Sequence, residues 1–330
     1  MAGQAAALSS WPTWNPGLVP LPTVQPARPA RLVAPKLSVK LGSWLAASLE
    51  ERWDFYFTQF KRCRTESTEE RVHQLRVATR RLIAKLFLLS AVVPGPAAGK
   101  AQQILKQRLD ALDELRDVHV MRLFFDGQTS AFPELILVRD ALARLERRLI
   151  KPAGRKIAHL KSRKLKKWID SMIADLTSNF KSASMQRALQ AAVLRAANSA
   201  FKEVIQRRQA INPLRPRTIH RTRIAFKKFR YMVESLPPTI TGFSRAQFRN
   251  LAWYQRKMGN IQDLEVIFAS INEYLEQHGH NRPFLDSFCS YLRRRRTRAL
   301  RTFLKSADDL LLFWPPPNPP GAGTAAPGST

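Results

Sequence analysis

The chain has 330 residues, with 55 Lys and Arg against 25 Asp and Glu and a formal charge of +30. A surplus of that size repels itself in a compact fold unless counterions or a polyanion neutralise it, so a polyanionic partner is the first expectation. Two cysteines, Cys63 and Cys289, make no disulfide framework or metal-binding spacing, and no uncharged apolar run reaches the ~18–20 residues that span a bilayer, so a reducing, cytoplasmic setting is expected.

In chain order, residues 1–38 are rich in Pro and Ala, and prolines from Pro12 to Pro35 break any helix, so an extended or disordered leader is predicted. From there to residue 313 apolar residues recur at helical spacing and β-type alternation is scarce, which predicts an all-α domain. Its helices are predicted near 41–63, 68–92, 98–126, 133–150, 162–179, 184–210, 216–236, 244–258, 261–278 and 284–312. Trp53, Tyr56, Phe57 and Phe60 share helical spacing in the first and are assigned to packing. Ser67-Thr-Glu-Glu70 has the form of a capping box for the second helix, which Pro94-Gly95-Pro96 would end. Pro216 suits a first-turn proline, and Pro237-Pro238 a stop, for the seventh. Residues 314–330 form an uncharged Pro/Gly-rich tail.

The second and seventh predicted helices carry the same text. His73-Gln-Leu-Arg76-Val-Ala-Thr-Arg80-Arg81 returns as His220-Arg-Thr-Arg223-Ile-Ala-Phe-Lys227-Lys228, an offset of 147 residues. That period is too long for a solenoid repeat and implies two duplicated halves, about 39–180 and 184–313, forming one domain. At ~100° per residue, His73, Arg76 and Arg80 fall within an arc of about 60°. Leu75, Thr79, Leu82, Leu86 and Leu89 occupy a separate arc that suits a packed face. The second copy places His220, Arg223 and Lys227 on the matching stripe, continued by Tyr231, and Thr222, Phe226, Phe229, Val233 and Leu236 on the matching core face. A second pair, Leu112-Asp-Glu-Leu-Arg116-Asp117-Val118 and Met258-Gly-Asn-Ile-Gln262-Asp263-Leu264, repeats at an offset of 146. Asp117 and Asp263 would cap helices or orient neighbouring cations by ion pairing.

These four segments, VHQLRVATRRLIAKL, LDELRDVHV, IHRTRIAFKKFRYMVE and MGNIQDLEV, closely resemble the conserved histidine α-helical domain (CHAD) family, over roughly residues 40–312. The resemblance implies two four-helix-bundle halves related by a pseudo-twofold axis, with a central basic channel that binds inorganic polyphosphate. It also implies association with polyphosphate granules. Carried onto this chain, the motif histidines are His73 and His220. The basic positions are Arg76, Arg80, Arg81 and Arg116 in the first half and Arg223, Lys227, Lys228 and Arg230 in the second, with Tyr231 beside them. Gln262 stands where the first half has Arg116, and Ile83-Ala84 stand opposite Arg230-Tyr231, so the two halves are not equivalent.

The chemistry fits a phosphate chain, which has no base to read and asks for closely spaced donors. Arg supplies a bidentate fork and Lys a compact charge that tolerates sliding. No catalytic residue, metal site or cofactor is expected: the chain has no GxxxxGK[ST] loop and no E-x-E-x-K run, and His119 and His278-Gly-His280 lack partners at metal-ligand spacing. The rival is a nucleic-acid-binding basic helical protein, and nonspecific nucleic-acid binding would accompany either reading, but no zinc-finger, RNP or KH signature is present. A polyphosphate-processing enzyme ranks below both. The basic runs Lys161–Lys167 and Arg293–Arg296 wrap around their helices and are assigned to exterior charge.

Overall fold

A computed structural model describes residues 40–93, 95–278 and 285–314. Every regular element among them is helical: α1 (Leu41–Thr65), α2 (Glu69–Leu89), α3 (Ala97–Asp110), α4 (Asp113–Asp126), α5 (Leu135–Ala158), α6 (Arg163–Ser178), α7 (Ala183–Gln209), α8 (Pro216–Val233), α9 (Pro238–Thr241), α10 (Arg245–His278) and α11 (Asp286–Lys305), then a 3-10 turn at Ala307–Leu312. The leader, the His278-Gly-His280 segment beyond His278, Pro94 and the tail from 315 lie outside the described residues. The expected tail boundary moves by one residue. Trp314 is buried, stacks edge-on against Phe229 and Phe243, and donates its indole N–H to Asn198 Oδ1 at 2.6 Å.

The packed faces are those expected from the 3.6-residue period. On α2, Leu75, Thr79, Leu82, Leu86 and Leu89 are all buried, and so are Thr222, Phe226, Phe229, Val233 and Leu236 along α8 and the turn after it. Each fully buried Leu or Phe contributes about 1.5–3 kcal/mol relative to exposure, which outweighs any single propensity defect in these helices. Trp53, Tyr56 and Phe60 are buried in the same core with Phe57 packed against it, as the spacing predicts.

Helix ends follow local chemistry with two shifts. The N-cap of α2 is Thr68, whose hydroxyl accepts from Arg71 N–H at 3.4 Å, while Ser67 instead donates to the Cys63 carbonyl. Pro216 does open α8, and after Pro237-Pro238 the chain makes the short α9, closed by Gly242 at φ 64°, a left-handed turn that suits glycine.

Three predicted boundaries differ. The segment 98–126 divides into α3 and α4 at Ala111-Leu112, with no Pro or Gly to announce it. Conversely, α10 runs unbroken through Gly259, because Met258 and Ile261 on either side are buried in the core and hold the helix together. Helix α5 continues past 150 and through Pro152; burial of Ala153 and Ile157 offsets the ~3 kcal/mol that an interior proline costs.

α1 packs on α2 and α6, and α3 on α2 and α6; α7 packs on α8, and α8 on α10. The duplicated helices α2 and α8 pack on each other. A second core joins the two halves elsewhere, with Val118, Phe124 and Phe125 of α4 and Val138 of α5 against Ile267 and Ile271 of α10 and Phe288 and Leu292 of α11. No described helix is long and apolar enough to cross a membrane. Cys63 is a buried thiol, and burial pushes it up to about 11.

Candidate functional site

Because α2 and α8 each turn an apolar face into the core, their cationic stripes are left to share the space between them. Arg76 is buried, donates from Nη1 to the Leu109 carbonyl at 2.8 Å and lies 2.5 Å from Asp113 Oδ1. Arg80 lies within the field of both stripes. Burial first, then Arg76 and Arg223, lower its guanidinium to about 10, while Tyr231 and Asp113 act in the opposite sense. Lys227 is driven well below the ordinary lysine value by burial, then by Arg80, Arg223, Arg76 and Arg230. One group thus holds Arg76 and Arg80 from the first copy with Arg223 and Lys227 from the second, bordered by Arg230 and Tyr231.

Like charges gathered in a partly enclosed space repel one another, and that repulsion adds to burial in lowering both Arg80 and Lys227. The Nε atoms of Arg76 and Arg223 are also buried donors without an acceptor. Clustered cations with unmet N–H groups are the complement of a multivalent anion with many oxygens.

Both histidines border the group. Burial, then Arg116 with Arg80 adding, depresses His73, while Glu70 and Glu69 partly oppose. His220 is lowered by burial, then Arg223 and Lys227, with a hydrogen bond to Gln262 opposing, and its Nδ1 is buried without a partner. Both imidazoles are therefore neutral at pH 7 in the free protein. Arg116 is paired with Glu69 while its charge also reaches Asp263 of the other half.

Two basic positions carried over from the family pattern sit elsewhere. Lys228 turns to α7, 3.3 Å from Glu203 Oε2, and stacks 3.7 Å over the Phe87 ring. Arg81 stands beside Arg52 of α1, where its charge adds to burial in lowering the Arg52 guanidinium. Arg230 occupies the edge, 4.8 Å from the Tyr231 ring and 3.4 Å from Glu234.

The carboxylates complete the picture. Burial raises Asp117 and Asp263 above the ordinary carboxylate value although Arg76, Arg116 and Arg80 surround the first and Arg223, Arg116 and Lys227 the second. Each is also raised by another acid: Asp113 acts on Asp117, and Asp117 on Asp263. Neither expected role is seen: both residues lie inside helices, and among the described residues neither forms an ion pair, so they lie in the field of the cations without holding one. Asp113 and Glu69, which hold Arg76 and Arg116, do not stand out as site residues in the sequence; their only signal is a carboxylate in the first turn of the helices involved. Among the described residues no group of three or more His, Cys, Asp or Glu could hold a metal ion. His119 is buried in the distal core, its Nε2 3.2 Å from Glu146 Oε1.

The first exterior run is as expected, with Lys161, Arg163, Lys164, Lys166 and Lys167 exposed; of the second, Arg293 and Arg294 are exposed, whereas Arg295 and Arg296 are half-buried, Arg295 donating to the Tyr291 hydroxyl and Arg296 paired with Glu265.

The chain is thus an all-α domain in which two similar helices, α2 and α8, pack together and gather their cations. The sequence profile of the CHAD domain matches residues 47–246, more than half of the chain, and the protein belongs to that family. A crystal structure of the CHAD domain from the plant Ricinus communis resembles it with a TM-score of 0.56 at 21% identity, covering 88% of this chain and 95% of the plant chain. That likeness extends the shared fold beyond the matched profile. No curated protein matches the chain.

Proposed function

We propose that the protein binds inorganic polyphosphate, without catalysis, between α2 and α8. Arg76, Arg80, Arg223 and Lys227 would grip the chain, with His73, His220, Arg116, Arg230 and Tyr231 at its borders. Association with polyphosphate granules in the cytoplasm follows from that reading. The observation that carries it is the gathering of Arg80 with Arg223 and Lys227, half-buried cations from both copies close enough to act on one another beside the buried Arg76. Such a group costs stability in the free protein, and a phosphate chain relieves it at every oxygen contact. Membership of the CHAD family supports the same ligand. Lys228 and Arg81 would contribute at most to the outer approach, since their nearest partners lie away from the group.

The test is a titration at several fixed salt concentrations with polyphosphates of graded length, beside DNA and pyrophosphate. Affinity should fall as salt rises, because each phosphate engaged releases counterions. Reversing Arg76, Arg80, Arg223 and Lys227 to glutamate together should abolish binding while circular dichroism stays helical. A folded quadruple variant that binds normally refutes the site, and DNA outcompeting long polyphosphate refutes the ligand. Release of phosphate from polyphosphate with Mg²⁺ would refute the non-catalytic reading.

A further inference from the structure

Helix α5 carries a second cationic track with no part in the α2/α8 group. Arg144, Arg147, Arg148, Lys151 and Arg155 are all exposed. At ~100° per residue they fall on one side of the helix, in an arc of about 100°, while the buried Leu142, Glu146, Ala153 and Ile157 lie half a turn away. The stripe is therefore the solvent side of a helix whose other side is committed to the core.

Its charge is uncompensated. Asp140 is paired with Arg139 at 2.8 Å, and Glu146 faces inward to Arg122 and His119. No ion pair joins the five cations to a carboxylate among the described residues. Arg144, Arg147 and Arg148 also line an open hollow of about 500 Å³. Three arginines lining one hollow can offer several N–H forks to one ligand, and such forks match phosphate oxygens better than surface lysines do. From Arg144 to Arg155 the track runs roughly 16 Å, at ~1.5 Å per residue, long enough for several phosphates.

We propose that this outer face of α5 is an auxiliary site that takes a second stretch of the same inorganic polyphosphate chain, anchored in the hollow at Arg144, Arg147 and Arg148. The proposal rests on the function proposed above and adds a chain-length sensor to it. Short chains fill the α2/α8 group alone. Long chains also engage α5, and the tethered second stretch gains affinity through effective concentration. Single-stranded nucleic acid is the less suitable occupant, since the track interleaves no aromatic side chain on which bases could stack.

The test compares Arg144→Gln/Arg147→Gln/Arg148→Gln, and the same positions changed to glutamate, with the native full-length chain. The probes are polyphosphates of roughly 10 and roughly 100 phosphates, chosen so that only the longer can bridge two sites. Both variants should bind the short chain as the native protein does and bind the long chain about tenfold more weakly, with a salt dependence shallower by about one unit for each phosphate that no longer engages α5. Unchanged long-chain affinity and salt slope in both folded variants overturns the proposal. So does a loss confined to single-stranded RNA, titrated beside the two polyphosphates, which assigns the track to nucleic acid. Failure of the native chain to bind even the short polymer sinks the primary function instead, and is told apart because the α5 variants play no part in that result.

Discussion

A Cβ placed on Gly259 would lie 3.4 Å from Arg223 Nε and 3.5 Å from its Nη2. Gly259 stands in the repeat segment Met258–Leu264 where Asp113 stands in Leu112–Val118, and Asp113 is 2.5 Å from Arg76, the repeat equivalent of Arg223. One half thus neutralises its arginine internally, and the other leaves it beside a residue with no side chain. The duplication has kept two arginines in different settings, Arg76 bonded to Leu109 of α3 and Asp113 of α4, and Arg223 with its Nε unpaired.

Installing the missing carboxylate tests this division. Gly259→Asp should pair with Arg223 and weaken polyphosphate binding by about tenfold, the effect of removing roughly one charge-assisted hydrogen bond to phosphate. Gly259→Asn keeps the shape without the charge and should change affinity little. Asp113→Asn should free Arg76 and tighten binding several-fold, at a stability cost of about 0.5–1 kcal/mol, small because the Asp113 side chain is half exposed. Titration and urea unfolding of the three variants decide it; equal loss in the Asp and Asn variants of Gly259 would point to shape rather than charge.

The histidines should make the proposed binding depend on pH. In the free protein burial, then Arg116, depresses His73, and burial, then Arg223, depresses His220, so both are neutral at pH 7. Phosphate placed beside them favours the charged form and raises both, so binding takes up protons and must strengthen as pH falls from 8 to 5.5. Stability of the free protein follows the opposite course. A group depressed on folding supports the fold above its unfolded value near 6.5 and loses that support as pH falls through the folded value. Isothermal titration in buffers of different ionisation enthalpy should show proton uptake in the native chain and less in His73→Gln/His220→Gln. A flat binding curve across this range refutes the role.

Much of this was legible in the sequence because it depends on period alone. The core and cation arcs of α2 and α8 follow from spacing, and all ten expected core positions are buried. What spacing could not give are relations between distant helices. Asp113 holding Arg76, Glu69 holding Arg116, and Lys228 turning to Glu203 each depend on which helix packs beside which. Helix breaks failed for a related reason. Gly259 reads as a stop by propensity, yet buried Met258 and Ile261 carry α10 through it, whereas Ala111-Leu112 reads as helix and ends one. The family pattern placed Arg81 and Lys228 with the channel because it transfers residue types and not the side of the helix on which this chain displays them.

Lys85 sits on α2 well away from the cationic stripe and is wholly buried. Its Nζ donates to the Ser235 carbonyl at 3.3 Å and lies 5.1 Å from the Trp44 ring. Burial, then Arg52, depresses it well below the lysine value, and Glu51 opposes only in part. The sign follows from proton counting: below about pH 10.5 the unfolded chain binds a proton here that the folded chain resists, so this group contributes stability that is complete above that pH and declines as pH falls. Lys85→Met keeps the volume and removes the ammonium, and it should stabilise the protein by about 1–2 kcal/mol at pH 7. Urea midpoints measured from pH 7 to 10 should rise more in the native chain than in the variant, with polyphosphate affinity equal in the two. A variant less stable than the native chain by more than about 1 kcal/mol would mean that the lysine is charged in the fold and that its bonds to Ser235 and Trp44 outweigh the cost of burying it.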